Sequence, residues 1–160
     1  MKKALVDAAR RRLSATGKRT RHVDIRRAIS DAYYAPFYAL AQTCADELIG
    51  ANKRTTDAWL KVYRALDHLQ AKQALQKAAK SGDAEAELIV FAATFSRLQE
   101  LRHEADYSPR PPEFNRADAL LIVDQVERAI ADFDRLDLFR KREIAVRMLL
   151  RERGKKETGT

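Results

Sequence analysis

Cysteine is nearly absent from this sequence: one residue in 160. Cys44 cannot form an internal disulfide. Its setting, Ala39-Leu40-Ala41-Gln42-Thr43-Cys44-Ala45, suits a buried thiol better than a reactive one, so a reducing, cytoplasmic compartment is expected. Long apolar runs are missing too. The longest, Leu88 to Phe95, is interrupted by Thr94 and falls far short of the roughly 20 residues that a spanning helix needs. No membrane partner is expected, and the early charges Asp7, Arg10, Arg11 and Arg12 argue against a secretory leader. There is no phosphate-cradling glycine loop, nucleophile elbow or dinucleotide fingerprint. The three histidines, His22, His68 and His103, lack the spacing of metal ligands, and neither a metal nor a cofactor is expected.

Only five glycines and four prolines punctuate the chain. Long helices follow from this, and alternating strand patterns are not found, so the expected fold is all-α: an up-and-down bundle of four to six helices. A first helix is predicted over about Lys3 to Leu13. A second runs from about Asp24 to Ile49, closed by Gly50, with a kink or break near Ala35 because Pro36 lies inside it. A third segment starts at Thr55-Thr56, fades at Lys80-Ser81-Gly82 and divides into one or two helices. A fourth spans Asp83 to Tyr107, where Pro109, Pro111 and Pro112 stop it. Asn115 with Asp118 caps a fifth, and a basic amphipathic piece from Leu138 to Leu150 either continues it or folds back. Residues 1–153 read as one domain and 154–160 as a disordered basic tail.

The formal charge of +8 is unevenly placed. Residues 1–27 carry ten Lys/Arg against two acids, residues 140–160 carry eight against three, and the body between them is net acidic. Basic ends of this kind either attract phosphate backbones, in a salt-sensitive way, or simply form solvated faces.

One residue breaks the pattern of the fourth helix. Leu88, Phe91, Phe95, Leu98 and Ala105 repeat at spacings of three and four, and Arg102 stands where another apolar residue belongs. At about 100° per residue Arg102 falls in the same arc as Leu88, Phe95 and Leu98, whereas Arg97 lies on roughly the opposite side. A guanidinium drawn into an apolar stripe costs several kcal/mol unless it is paired or opens onto a polar cleft. Asp106, one turn on, can accept its hydrogen bonds. Arg102 is therefore read either as a helix-end arginine clamped by Asp106 or as a cationic phosphate site. His68, next to Asp67, reads as a surface or capping residue. Tyr33, Tyr34 and Tyr38 cannot all share one helix face, so at least one must look outward.

Two stretches resemble one known family. The tyrosine-rich run Arg26-Arg27-Ala28-Ile29-Ser30-Asp31-Ala32-Tyr33-Tyr34-Ala35-Pro36-Phe37-Tyr38-Ala39-Leu40 and the short Arg102-His103-Glu104-Ala105-Asp106-Tyr107 resemble the second and principal helices of the HEPN superfamily, the higher-eukaryote and prokaryote nucleotide-binding domains. The resemblance implies a HEPN-like homodimer, often set in toxin-antitoxin or defence systems beside a nucleotidyltransferase or antitoxin partner. Many members are metal-independent endoribonucleases that cleave RNA through its own 2′-hydroxyl. Carried over by residue, it makes Arg102, His103 and Tyr107 the catalytic candidates lining one cleft, with Asp106, Tyr34 and Tyr38 as substrate-binding candidates. Tyr107 holds the place of the family's histidine, and a phenol is a poor general base at neutral pH, which argues against full activity. A second register pairs Arg97 with His103, but Arg97 is off the apolar arc. The reading of a non-catalytic protein-interaction module stands beside the RNA-directed one.

Overall fold

The computed structural model describes residues 1–14, 21–110 and 113–150. Among them it is all-α, with no strand: α1 (Lys2–Leu13), α2 (His22–Leu48), a 3-10 turn (Ala51–Lys53), α3 (Asp57–Ala65), α4 (His68–Ala79), α5 (Ala86–Tyr107), α6 (Arg116–Asp134) and α7 (Leu138–Leu149). The all-helical bundle is as expected, with seven α-helices rather than four to six, because both ambiguous segments divide. Leu66 turns to an extended backbone, and the Asp67 side chain then accepts from Gln70 N to start α4. Asp137 does the same for α7 by accepting from Arg140 N. Each cap satisfies an amide that the first helical turn would otherwise leave unpaired, typically worth about 1 kcal/mol.

Helix α2 is the axis of the bundle and packs against α1, α3, α5, α6 and α7. It can do so because it is apolar on nearly every side, with Ile29, Tyr33, Leu40 and Cys44 fully buried. It runs through Pro36 without a break, so of the kink or break expected near Ala35 the break does not occur. Pro36 removes one backbone donor, but neighbours on both sides of it are buried, and that packing outweighs the lost hydrogen bond. Gly50 ends the helix as anticipated, at φ 116°, a conformation that a side chain would strain. The rest of the core comes from α5 and α6, whose Phe91 and Phe133 stack at 4.3 Å between centroids. Asn115 and Asp118 form the reciprocal capping box that their spacing predicts.

The basic terminal helices are tied to the acidic body. Lys2 pairs with Asp134 at 2.5 Å, Arg10 with Asp124 at 2.9 Å and also with Glu127, and Arg12 with Asp31 at 2.7 Å. On α7, Arg140 meets three carboxylates and Arg142 meets Glu47 at 3.3 Å. Much of the charge asymmetry is thus neutralised within the chain. The predicted tail 154–160, the last residues of the predicted domain 1–153 and most of the basic loop from Lys18 lie outside the described residues. No described helix is long and apolar enough to cross a membrane.

Candidate functional site

The apolar arc of α5 behaves as its spacing predicts: Leu88, Phe91, Phe95, Leu98 and Ala105 are all buried. Arg102 continues that arc but keeps a quarter of its side chain exposed. Its guanidinium carbon stands 5.2 Å from the centroid of Tyr33 and 5.1 Å from that of Tyr34, two neighbouring rings of α2. The negative faces of aromatic rings attract a guanidinium, by about 0.5–2 kcal/mol depending on desolvation. This accounts for a charge in an apolar arc: the aromatic surface replaces part of its lost hydration.

Asp106 fixes the orientation. Its Oδ2 accepts from Arg102 Nε at 3.0 Å, and its Oδ1 accepts from the Ser30 hydroxyl of α2 at 2.7 Å. One turn earlier on α2, Arg26 donates to the Ala105 carbonyl at 2.7 Å and to the Arg110 carbonyl. Arg26 therefore answers the unpaired carbonyls at the C-terminus of α5, where the helix dipole favours a cation. Two guanidinium groups and one carboxylate meet at this end of the bundle, leaving a local excess of positive charge.

A third element contributes His68, the first residue of α4. Its Nδ1 lies 2.6 Å from the Tyr33 hydroxyl, Phe37 stacks on its ring at 3.9 Å, and Tyr34 meets it edge-on at 6.1 Å. Burial, and then the nearby charge of Arg102, hold His68 below the usual imidazole range, with Asp67 opposing them. Burial also pushes the Tyr33 phenol up to about 12, although Arg102 moderates the rise. Near neutral pH Tyr33 is therefore a phenol and His68 a neutral imidazole.

Of the residues predicted for the site, Arg102, Asp106 and Tyr34 come together directly. Tyr38 extends the aromatic surface, stacking at 6.0 Å on Tyr34 and at 5.8 Å on Tyr63, which in turn stacks on Trp59 at 4.9 Å. That row ends at Asp46, which accepts from Trp59 Nε1 at 3.0 Å and from Arg54 at 2.6 Å. Burial works against the Asp46 charge, but these hydrogen bonds and the Arg54 charge outweigh it and hold the carboxyl below its usual range. Tyr33 is fully buried, while Tyr34 and Tyr38 are partly exposed, as a shared helix with too many tyrosines for one face requires.

His103 and Tyr107 are placed differently. Their rings meet at 5.0 Å between centroids, tilted by 47°, on the exposed flank of α5, and Tyr107 is 69% exposed. Helix geometry accounts for it. Tyr107 is about 140° and His103 about 100° around the axis from Arg102, but the two are only about 40° apart from each other. Arg97 is exposed, as its position off the arc predicts.

His68 is the contributor that the sequence undervalued. Asp67, not His68, makes the cap, which frees the ring to reach α2. No spacing rule links residues 33, 68 and 102, because their proximity arises only where three helices meet. Among the described residues, no group of His, Cys, Asp and Glu is arranged to hold a metal ion. No family model, curated protein or solved structure matches the chain.

Proposed function

We propose that this helical chain is a HEPN-like RNA-binding protein that works as a homodimer in the cytoplasm, with Arg102 as its phosphate ligand. The observation that carries this reading is the incomplete pairing of Arg102. Its Nε is committed to Asp106, while the rest of the guanidinium rests on the rings of Tyr33 and Tyr34 at a partly exposed edge. An arginine fork set against aromatics at a partly exposed edge, with one carboxylate partner, suits a phosphate oxygen. Arg26 beside it adds favourable charge. Partly exposed Tyr34 offers a surface on which an unpaired base can stack.

Binding is favoured over cleavage by the placement of Tyr107, which faces away from Arg102 within one chain and lacks the basicity of an imidazole. His103 and Tyr107 lie where a second protomer could meet them, which is the form in which the HEPN resemblance gives them a role.

The test is purified protein with total RNA in the presence of EDTA, beside Arg102→Ala. Retention of RNA by wild type, lost in the variant, supports the reading, and metal-independent cleavage lost in the variant extends it to an endoribonuclease of a toxin-antitoxin or defence system. Absence of both binding and cleavage by wild type contradicts it.

A second reading, a protein-interaction module for a nucleotidyltransferase or antitoxin, has its own observation. A groove of about 550 Å³ between α4 and α7 is lined by Leu69, Ala74, Val146 and Leu150, with Gln73 and Arg147 at its polar margin. Leu69, Val146 and Leu150 are exposed, and apolar surface of this kind marks interaction sites. Under that reading RNA is ignored and Arg102→Ala changes nothing.

A further inference from the structure

We infer that His68 is a second phosphate ligand beside Arg102, donating a hydrogen bond from Nε2–H to a phosphodiester oxygen of the bound RNA. The inference rests on the RNA-binding reading and adds to it a residue from a different helix.

The Tyr33 side chain is fully buried; its oxygen meets His68 Nδ1 at 2.6 Å and also accepts from the Arg102 guanidinium, which can only donate. A buried hydroxyl proton needs an acceptor. Tyr33 remains a phenol at neutral pH, so it donates, and Nδ1 of a neutral imidazole accepts. A neutral imidazole carries only one N–H, which this bond consigns to Nε2. Phe37 covers one face of the ring, fixing its plane. Nε2–H has no acceptor among the described residues, and His68 is partly exposed.

The two phenol rings that carry Arg102 also meet His68: Tyr33 at 5.6 Å and Tyr34 at 6.1 Å between centroids. Two donors of fixed direction therefore border one aromatic platform, one charged and one neutral. The groups facing His68 are Tyr33 and Tyr34 from α2, Arg102 from α5 and Asp67 at the start of α4.

Two substitutions separate the donor from the support it gives Tyr33. The amide oxygen of Asn can accept from Tyr33 in place of Nδ1 but leaves no donor at the Nε2 position. The longer Gln places an amide N–H near Nε2. Binding of a labelled single-stranded oligoribonucleotide to full-length protein is measured at pH 7, with inorganic phosphate as competitor. His68→Asn is expected to weaken binding about tenfold, whereas His68→Gln stays within about threefold of wild type. Wild-type affinity in His68→Asn, with Arg102→Ala still defective, overturns the role of His68 and leaves the Arg102 reading standing. Failure of wild type to bind overturns both. Circular dichroism of each variant confirms that a loss of binding is not a loss of fold.

Discussion

Arg102 and Arg140 are both drawn from solvent onto the bundle, and they are held in opposite ways. Arg140, at the start of α7, pairs with Asp83 at 3.0 Å, Glu85 at 2.9 Å and Glu143 at 2.7 Å, and it also donates to the Asp83 carbonyl. Its guanidinium is surrounded by acceptors, and these bonds, above all the one to Glu85, make it harder to deprotonate. Arg102 has one carboxylate and two aromatic faces. A saturated cation joins helices and has little left for a ligand; an unsaturated one on a hydrophobic platform keeps donors in reserve. The difference separates a structural clamp from a candidate site, although both residues are partly shielded arginines with a carboxylate partner.

Removing the floor beneath the site is the most drastic way to break that comparison. Phe95 is fully buried and lies 5.6 Å from Tyr33. Phe95→Ala is expected to cost about 3–5 kcal/mol by urea unfolding and to weaken RNA binding as Tyr33 settles into the cavity. Arg102→Ala is expected to weaken binding about ten- to a hundredfold, read by fluorescence anisotropy, with little change in the unfolding midpoint. Arg140→Met should show the converse, a lower unfolding midpoint with unchanged affinity for RNA.

The smallest effect concerns pH. His68 is held below its unfolded value, so the native state resists a proton that the unfolded chain accepts. Stability is complete above about pH 6.5, the unfolded value, and declines as the pH falls toward the lower native one. His68→Asn should flatten that part of the stability profile in thermal melts.

The fold was legible because its signals are local. Heptad-like spacing located α5 and its odd arginine, Gly50 and Asn115 marked helix ends, and Asp106 lay one turn from Arg102 as its hydrogen bond requires. What was not legible depends on distant packing. Whether Pro36 breaks α2 is decided by the helices around it. Whether terminal arginines remain solvated is decided by acids such as Asp31, Asp124 and Glu47, which lie elsewhere in the chain. In sequence His68 looks like a surface residue, because nothing near it shows that Phe37 and Tyr33 receive its ring. Motif proximity groups His103 and Tyr107 with Arg102, but five residues along a helix is more than a third of a turn away from the same face.

Arg102 is proposed to reach phosphate from a partly exposed edge of the bundle, unlike the saturated Arg140. The most direct measurement is the affinity of wild type, Arg102→Ala and Arg140→Met for one single-stranded oligoribonucleotide, titrated at low and moderate salt. Salt-sensitive binding by wild type and Arg140→Met, with a loss of tenfold or more in Arg102→Ala, is the predicted result. Equal binding by all three proteins, or none by any of them, would contradict it.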